Sequence, residues 1–121
     1  MKDELGLEKI NLPSSNLVVP RRLFLDWDLK EYEKMLLSEI LRLQMKTENK
    51  LKKDAERRKE DTSKIVGYAY AGNQYFSVVF QRSKSQIVKT LAKLQKRGYI
   101  KIWLSQNGTS RRIYIVKEKC L

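Results

Sequence analysis

The run RSKSQIVKTLAKLQKR (82–97) sets Arg82, Lys84, Ser85, Gln86, Lys89, Thr90 and Lys93 within three helical turns. If the run is a helix, Ser85, Gln86, Lys89, Lys93 and Lys96 share its outer face, with Arg82 and Lys84 at its N-terminal end. Ile87, Val88, Leu91 and Leu94 then form the opposite, apolar face. Ammonium and carboxamide groups at this spacing can reach purine N7 and its neighbour on a base edge, which makes Gln86 and Lys89 candidates for base contacts. Arg82, Lys84 and Ser85 would donate to phosphate where the helix N-terminus already favours an anion. Downstream, QNGTSRR (106–112) supplies Asn107, Arg111 and Arg112, suited to a phosphate backbone or a minor groove.

These side chains sit in a stretch with no acid to neutralise them. Between Thr62 and Lys117 there are eleven Lys or Arg and no Asp or Glu, and 65–121 carries +10 of the chain's +12. Such a segment keeps its self-repulsion unless a polyanion relieves it, and nucleic acid is the commonest polyanion in a cell. A basic outer face taken alone is the ordinary solvated side of an amphipathic helix. Here it is joined to a basic hairpin.

Composition weighs against catalysis. With no His among 121 residues, the usual general base near neutral pH is missing. A lone Cys120 without His is a poor nucleophile, no Cys/His cluster offers a zinc site, and the five glycines do not form a phosphate loop. No catalytic residue, metal or cofactor is expected. A single Cys suits a reducing compartment, and the N-terminus MKDELGLEKINLP has acids where a signal peptide needs a basic and then an apolar region. No apolar run reaches the roughly 18–20 residues of a membrane span, so a cytoplasmic protein without a membrane partner is expected.

The elements that would hold these groups can be traced along the chain. Residues 1–16 read as a polar lead-in with a short helix near 3–10. Residues 17–25 are extended, because Pro20 restricts its predecessor, and they form an arm along the core. Asp28 with Glu31 has the spacing of a capping box and predicts a helix over 28–46, with an apolar stripe at Leu29, Tyr32, Leu36, Ile40 and Leu43. Residues 47–64 are a charged, solvated insert, either a continuation of that helix or disordered. A β-like stretch follows at 65–71, then a short apolar helix over 74–80. Ser83 with Gln86 opens the basic helix as a second capping box, and Gly98 ends it. Gln86 thus has two rival duties, capping and base contact. Tyr68, Tyr70, Tyr75 and Phe76 are assigned to core and sheet.

Strands at 99–104 and 111–117 alternate, and Asn107-Gly108 predicts a type I′ hairpin turn in which paired residue numbers sum to 215. Ile100, Ile102, Ile113 and Ile115 then share one face, with Lys101, Trp103, Arg112 and Tyr114 on the other. Trp103 opposite Arg112 is the arrangement of a cation–π pair stabilising the hairpin. A short helix, a tight turn, a capped basic helix and a basic hairpin give an α+β winged helix-turn-helix, with a three-helix core and a C-terminal β-hairpin wing over 17–121. The basic helix lacks the aromatic anchors of a membrane-surface helix, and nothing resembles an RNA-recognition strand motif or a GxxG loop.

NLVVPRRLFLDWDLKEYEKMLLSEILRL, and after the insert GYAYAGNQYFSVVFQRSKSQIVKTLAKLQKRGYIKIWLSQNGTSRRIYI, resembles the winged-helix N-terminal domain of phage replisome organisers and DnaD-like primosome proteins. The resemblance covers about residues 17–116, and the join Leu94-x-x-x-Gly98-Tyr-Ile100 also occurs in winged-helix repressors. It implies non-catalytic, sequence-specific binding of double-stranded DNA in the replication initiation of a phage, plasmid or mobile element. The family's C-terminal domain, which recruits a helicase loader, has no counterpart here, so a replication-protein partner or a stand-alone role is expected. Palindromic sites would demand a homodimer. Transcription regulation as a repressor on the same fold, or a small phage protein-interaction or inhibitor module, are the alternatives.

Overall fold

The computed structural model describes residues 7–9, 18–108 and 110–121. In chain order they form β1 (Leu7–Lys9), β2 (Val18–Pro20), α1 (Arg21–Phe24), α2 (Glu31–Arg57), α3 (Asn73–Phe80), α4 (Lys84–Lys96), β3 (Ile100–Leu104), β4 (Arg111–Ile115) and α5 (Lys117–Cys120). Strands β1 and β2 pair antiparallel, as do β3 and β4. The protein is therefore α+β, with helices followed by a C-terminal antiparallel hairpin, an order compatible with a winged helix. No helix among the described residues is long and apolar enough to cross a membrane.

The core lies where α2, α3, α4 and the inner face of the hairpin meet. Leu36, Leu37, Ile40, Phe76, Ile87 and Leu94 are all fully buried there. Each side chain of this size stabilises by about 1.5–3 kcal/mol on leaving water. Gln44 of α2 is buried as well, and its Oε1 accepts the Ile115 backbone N–H at 2.7 Å, tying the long helix to β4. Residue 67 must be glycine for a steric reason: a Cβ there would sit 2.1 Å from the Gln44 carbonyl oxygen and 2.5 Å from Glu48 Cβ.

Helix α2 departs from expectation at its start, and at its far end it takes the first of the two expected courses, a continuation into the charged insert. It begins at Glu31, with Lys30 as N-cap, because residues 26–29 turn first to bury Leu29. The cap partner is consequently Glu33, whose Oε1 accepts the Lys30 backbone N–H at 2.9 Å, and not the expected Asp28–Glu31 pair. At the far end α2 runs on through Arg57, so most of the charged insert is helix. Ala55 is buried, and Lys59 reverses the chain with a φ of +55°.

Three further expectations change. Residues 7–9 form a strand where a short helix was expected, the rest of the lead-in lying outside the described residues. The arm 17–25 breaks after β2 into the one-turn helix α1. The β-like stretch at 65–71 contributes a single bridge, Ala69 to Ile113, with N–H···O distances of 2.8 and 3.1 Å.

Candidate nucleic-acid interface

The basic helix is held in place at its start. Ser83 Oγ accepts the Gln86 backbone N–H at 3.2 Å, and Gln86 Oε1 accepts the Ser83 backbone N–H at 3.4 Å, the reciprocal capping expected. Just before it, Gln81 ends α3 in the left-handed region at φ +53°. The Arg82 backbone N–H bonds the Ser77 carbonyl at 3.1 Å, and the Ser77 hydroxyl donates to the Arg82 carbonyl. This tight turn sets the angle between α3 and α4. At the far end Gly98 takes φ +84°, and its N–H reaches the Gln95 carbonyl.

The predicted side chains divide into two groups. Lys84, Ser85 and Lys89 are exposed, and none of them has an ion pair among the described residues. Arg82 is exposed too, with its guanidinium 4.5 Å from the centroid of the Tyr32 ring. Val88 is half exposed among them, a correction to its assignment to the apolar face. Gln86 has committed its carbonyl oxygen to the cap, which leaves only its NH₂ to donate outward. Thr90 Oγ1 donates back to the Gln86 carbonyl at 2.8 Å.

Lys93 leaves the cationic face. Its Nζ lies 2.7 Å from Glu33 Oε2, and the Glu33 side chain is only 5% exposed. Burial pushes the Glu33 carboxyl up, but the Lys30 N–H and the Lys93 ammonium outweigh it and hold it below the usual carboxylate range. Glu33 lies on the buried side of α2 with Leu36, Leu37 and Ile40. It brings a buried carboxylate under α4, which must be compensated.

The hairpin follows the expected register, Ile100 opposite Ile115 and Trp103 opposite Arg112. Its turn does not. The Gly108 N–H bonds the Ser105 carbonyl, and Gly108 has φ +70° while Asn107 has no positive φ, so the turn is not type I′, which needs both. The expected partner of Gln106, Thr109, lies outside the described residues. Asn107 sits exposed at this tip and its Oδ1 accepts from the Ser105 hydroxyl at 2.7 Å.

Arg111 is engaged inward: Nη1 donates to Asn73 Oδ1 and Nη2 to the Ala71 carbonyl, each at 2.7 Å. Burial pulls its pKa down from the ordinary guanidinium value. It pins the start of α3 to the turn end of the hairpin. Arg112 is exposed, with its guanidinium 4.4 Å from the Tyr68 ring centroid and 5.1 Å from that of Trp103.

The aromatic residues also divide. Phe76 is core, as expected. Tyr75 lies on α3 and donates its hydroxyl to the buried Glu39 carboxylate at 2.9 Å. Tyr68 and Tyr70 flank the inward-facing Ala69 and so project from the opposite face, which corrects their assignment to the core. The alternation of Tyr-Ala-Tyr was the sequence signal for this, but it becomes readable only once Ala69 is paired with Ile113. Set against protein-family models, curated sequences and solved structures, the chain matches none of them.

Proposed function

We propose that this protein is a non-catalytic winged-helix module that binds double-stranded DNA sequence-specifically, in the replication initiation of a phage, plasmid or mobile element. The observation that carries this reading is the N-terminal half of α4. Arg82, Lys84, Ser85 and Lys89 stand exposed there around a capped helix end, and Lys84 and Lys89 have no carboxylate partner among the described residues. A helix of this kind fits the B-DNA major groove, about 12 Å wide, with its first turns nearest the base edges.

Lys89 is the base-edge candidate, and Lys84, Ser85 and Arg82 are the phosphate donors. Val88 adds an apolar contact of the kind that a thymine methyl accepts. Asn107 and Arg112 on the hairpin complete the surface, whereas Arg111 and Lys93 act by holding the framework. The replication role rests on the family resemblance of 17–116.

Titration of labelled duplexes at several salt concentrations tests the binding. Counterion release gives a log–log slope near −0.9 for each phosphate neutralised, so three to four contacts correspond to a slope of about −3. Failure to bind any duplex more tightly than about micromolar at low salt would overturn the proposal.

A further inference from the structure

The outer face of the hairpin carries a group of side chains of which the duplex reading uses only Arg112. Lys101, Trp103, Arg112 and Tyr114 alternate outward from β3 and β4, opposite the buried isoleucines. The Ala69–Ile113 bridge brings Tyr68 and Tyr70 onto the same face, beside Tyr114 and Arg112. The Tyr68 and Tyr114 rings lie 6.3 Å apart, and Arg112 reaches toward both Tyr68 and Trp103. The stacking is incomplete, since Trp103 keeps 49% of its surface exposed and Tyr70 67%. Among the described residues neither Lys101 nor Arg112 is paired with a carboxylate.

Four aromatic rings and two cations without an acid call for an occupant that is flat, apolar on its faces and anionic along its length. We infer that this face binds a single strand of DNA, with unpaired bases stacking on Trp103 and Tyr70 and the phosphates drawn to Arg112 and Lys101. Base stacking on aromatic side chains with cationic tracking of the backbone is the general chemistry of single-strand binding. A duplex cannot use such a platform, because its bases are already stacked on one another. That the strand is unpaired follows from this face alone; that it is DNA rather than RNA rests on the duplex reading of α4.

The test uses the full chain with labelled dT20, labelled rU20 and a blunt duplex. Trp103→Ala should weaken dT20 binding by roughly 5- to 150-fold, the range for loss of one stacked base, while duplex affinity stays within about two-fold. Trp103→Phe should recover most of the loss. In a Trp27→Phe background, saturation with dT20 should change Trp103 emission, and this measurement decides if Trp103→Ala loses its hairpin by circular dichroism. Unchanged emission, equal dT20 affinity in wild type and Trp103→Ala, or an equal loss on duplex would overturn the inference. Tighter binding of rU20 than of dT20 would overturn the assignment to DNA. Loss of duplex binding with dT20 binding intact would sink the reading of α4 and leave this one standing.

Discussion

Replacing Lys93 by Met tests the framework role of this lysine against the DNA contact proposed for its neighbours on α4. Lys93 Nζ is 2.7 Å from Glu33 Oε2, and the Glu33 side chain is 5% exposed, while that of Lys93 is 35% exposed. Breaking a fully buried pair costs about 3–5 kcal/mol because the remaining charge has no partner. Here two features reduce that figure. Lys93 is partly solvated, so its attraction is screened, and Glu33 keeps its bond from the Lys30 N–H. A loss of about 2 kcal/mol follows, in the range for a hydrogen bond to a charged group. With a urea m-value of about 1.5 kcal/mol/M, the unfolding midpoint should fall by about 1.3 M.

The pH profile should change in the same variant. The Glu33 carboxyl is held below its ordinary value in the folded state. Its contribution is therefore complete above the unfolded carboxylate pKa and is lost as pH falls through the lowered folded one. Lys93→Met removes part of that depression, so the stability gained between acid and neutral pH should shrink. A Glu33→Met/Lys93→Met double variant should recover stability relative to Lys93→Met, since no buried charge is then left alone. Duplex affinity per folded molecule should change by less than about two-fold. The reasoning is refuted if Lys93→Met keeps its urea midpoint and instead weakens binding to all duplexes, with a salt slope smaller by about 1, the mark of one lost phosphate contact.

Lys89→Ala should reduce discrimination between a selected site and random duplex, by up to about 1–3 kcal/mol, with far-UV circular dichroism unchanged; an unaltered footprint and affinity would misplace the reading helix. Arg111→Ala leaves Asn73 Oδ1 and the Ala71 carbonyl without their guanidinium donors, so it should lower stability by about 1–3 kcal/mol in chemical denaturation. Gly67→Ala forces a Cβ against the Gln44 carbonyl. It should destabilise by more than about 2 kcal/mol or abolish soluble expression, and a thermal melt near wild type would contradict the close crossing.

Local chemistry made several elements legible in the sequence. The Ser83–Gln86 box, the stop at Gly98 and the hairpin register are set by residues within a few positions of one another, and all three stand in the structure. The α+β order of helices before a hairpin follows from the same periodicities. What the sequence could not show depends on partners far along the chain. The cap of α2 moved from Asp28 to Lys30 because Leu29 had to be buried, a demand that only the assembled core imposes. Lys93 carries the same spacing as Lys89, yet 60 residues separate it from the carboxylate that claims it. The outward face of Tyr68 and Tyr70 likewise depends on a bridge between Ala69 and Ile113. Sequence determined where cations were plentiful and acids lacking. Tertiary packing decided which of those cations stayed exposed at the surface, because a buried carboxylate or carbonyl takes whichever donor the fold brings within reach.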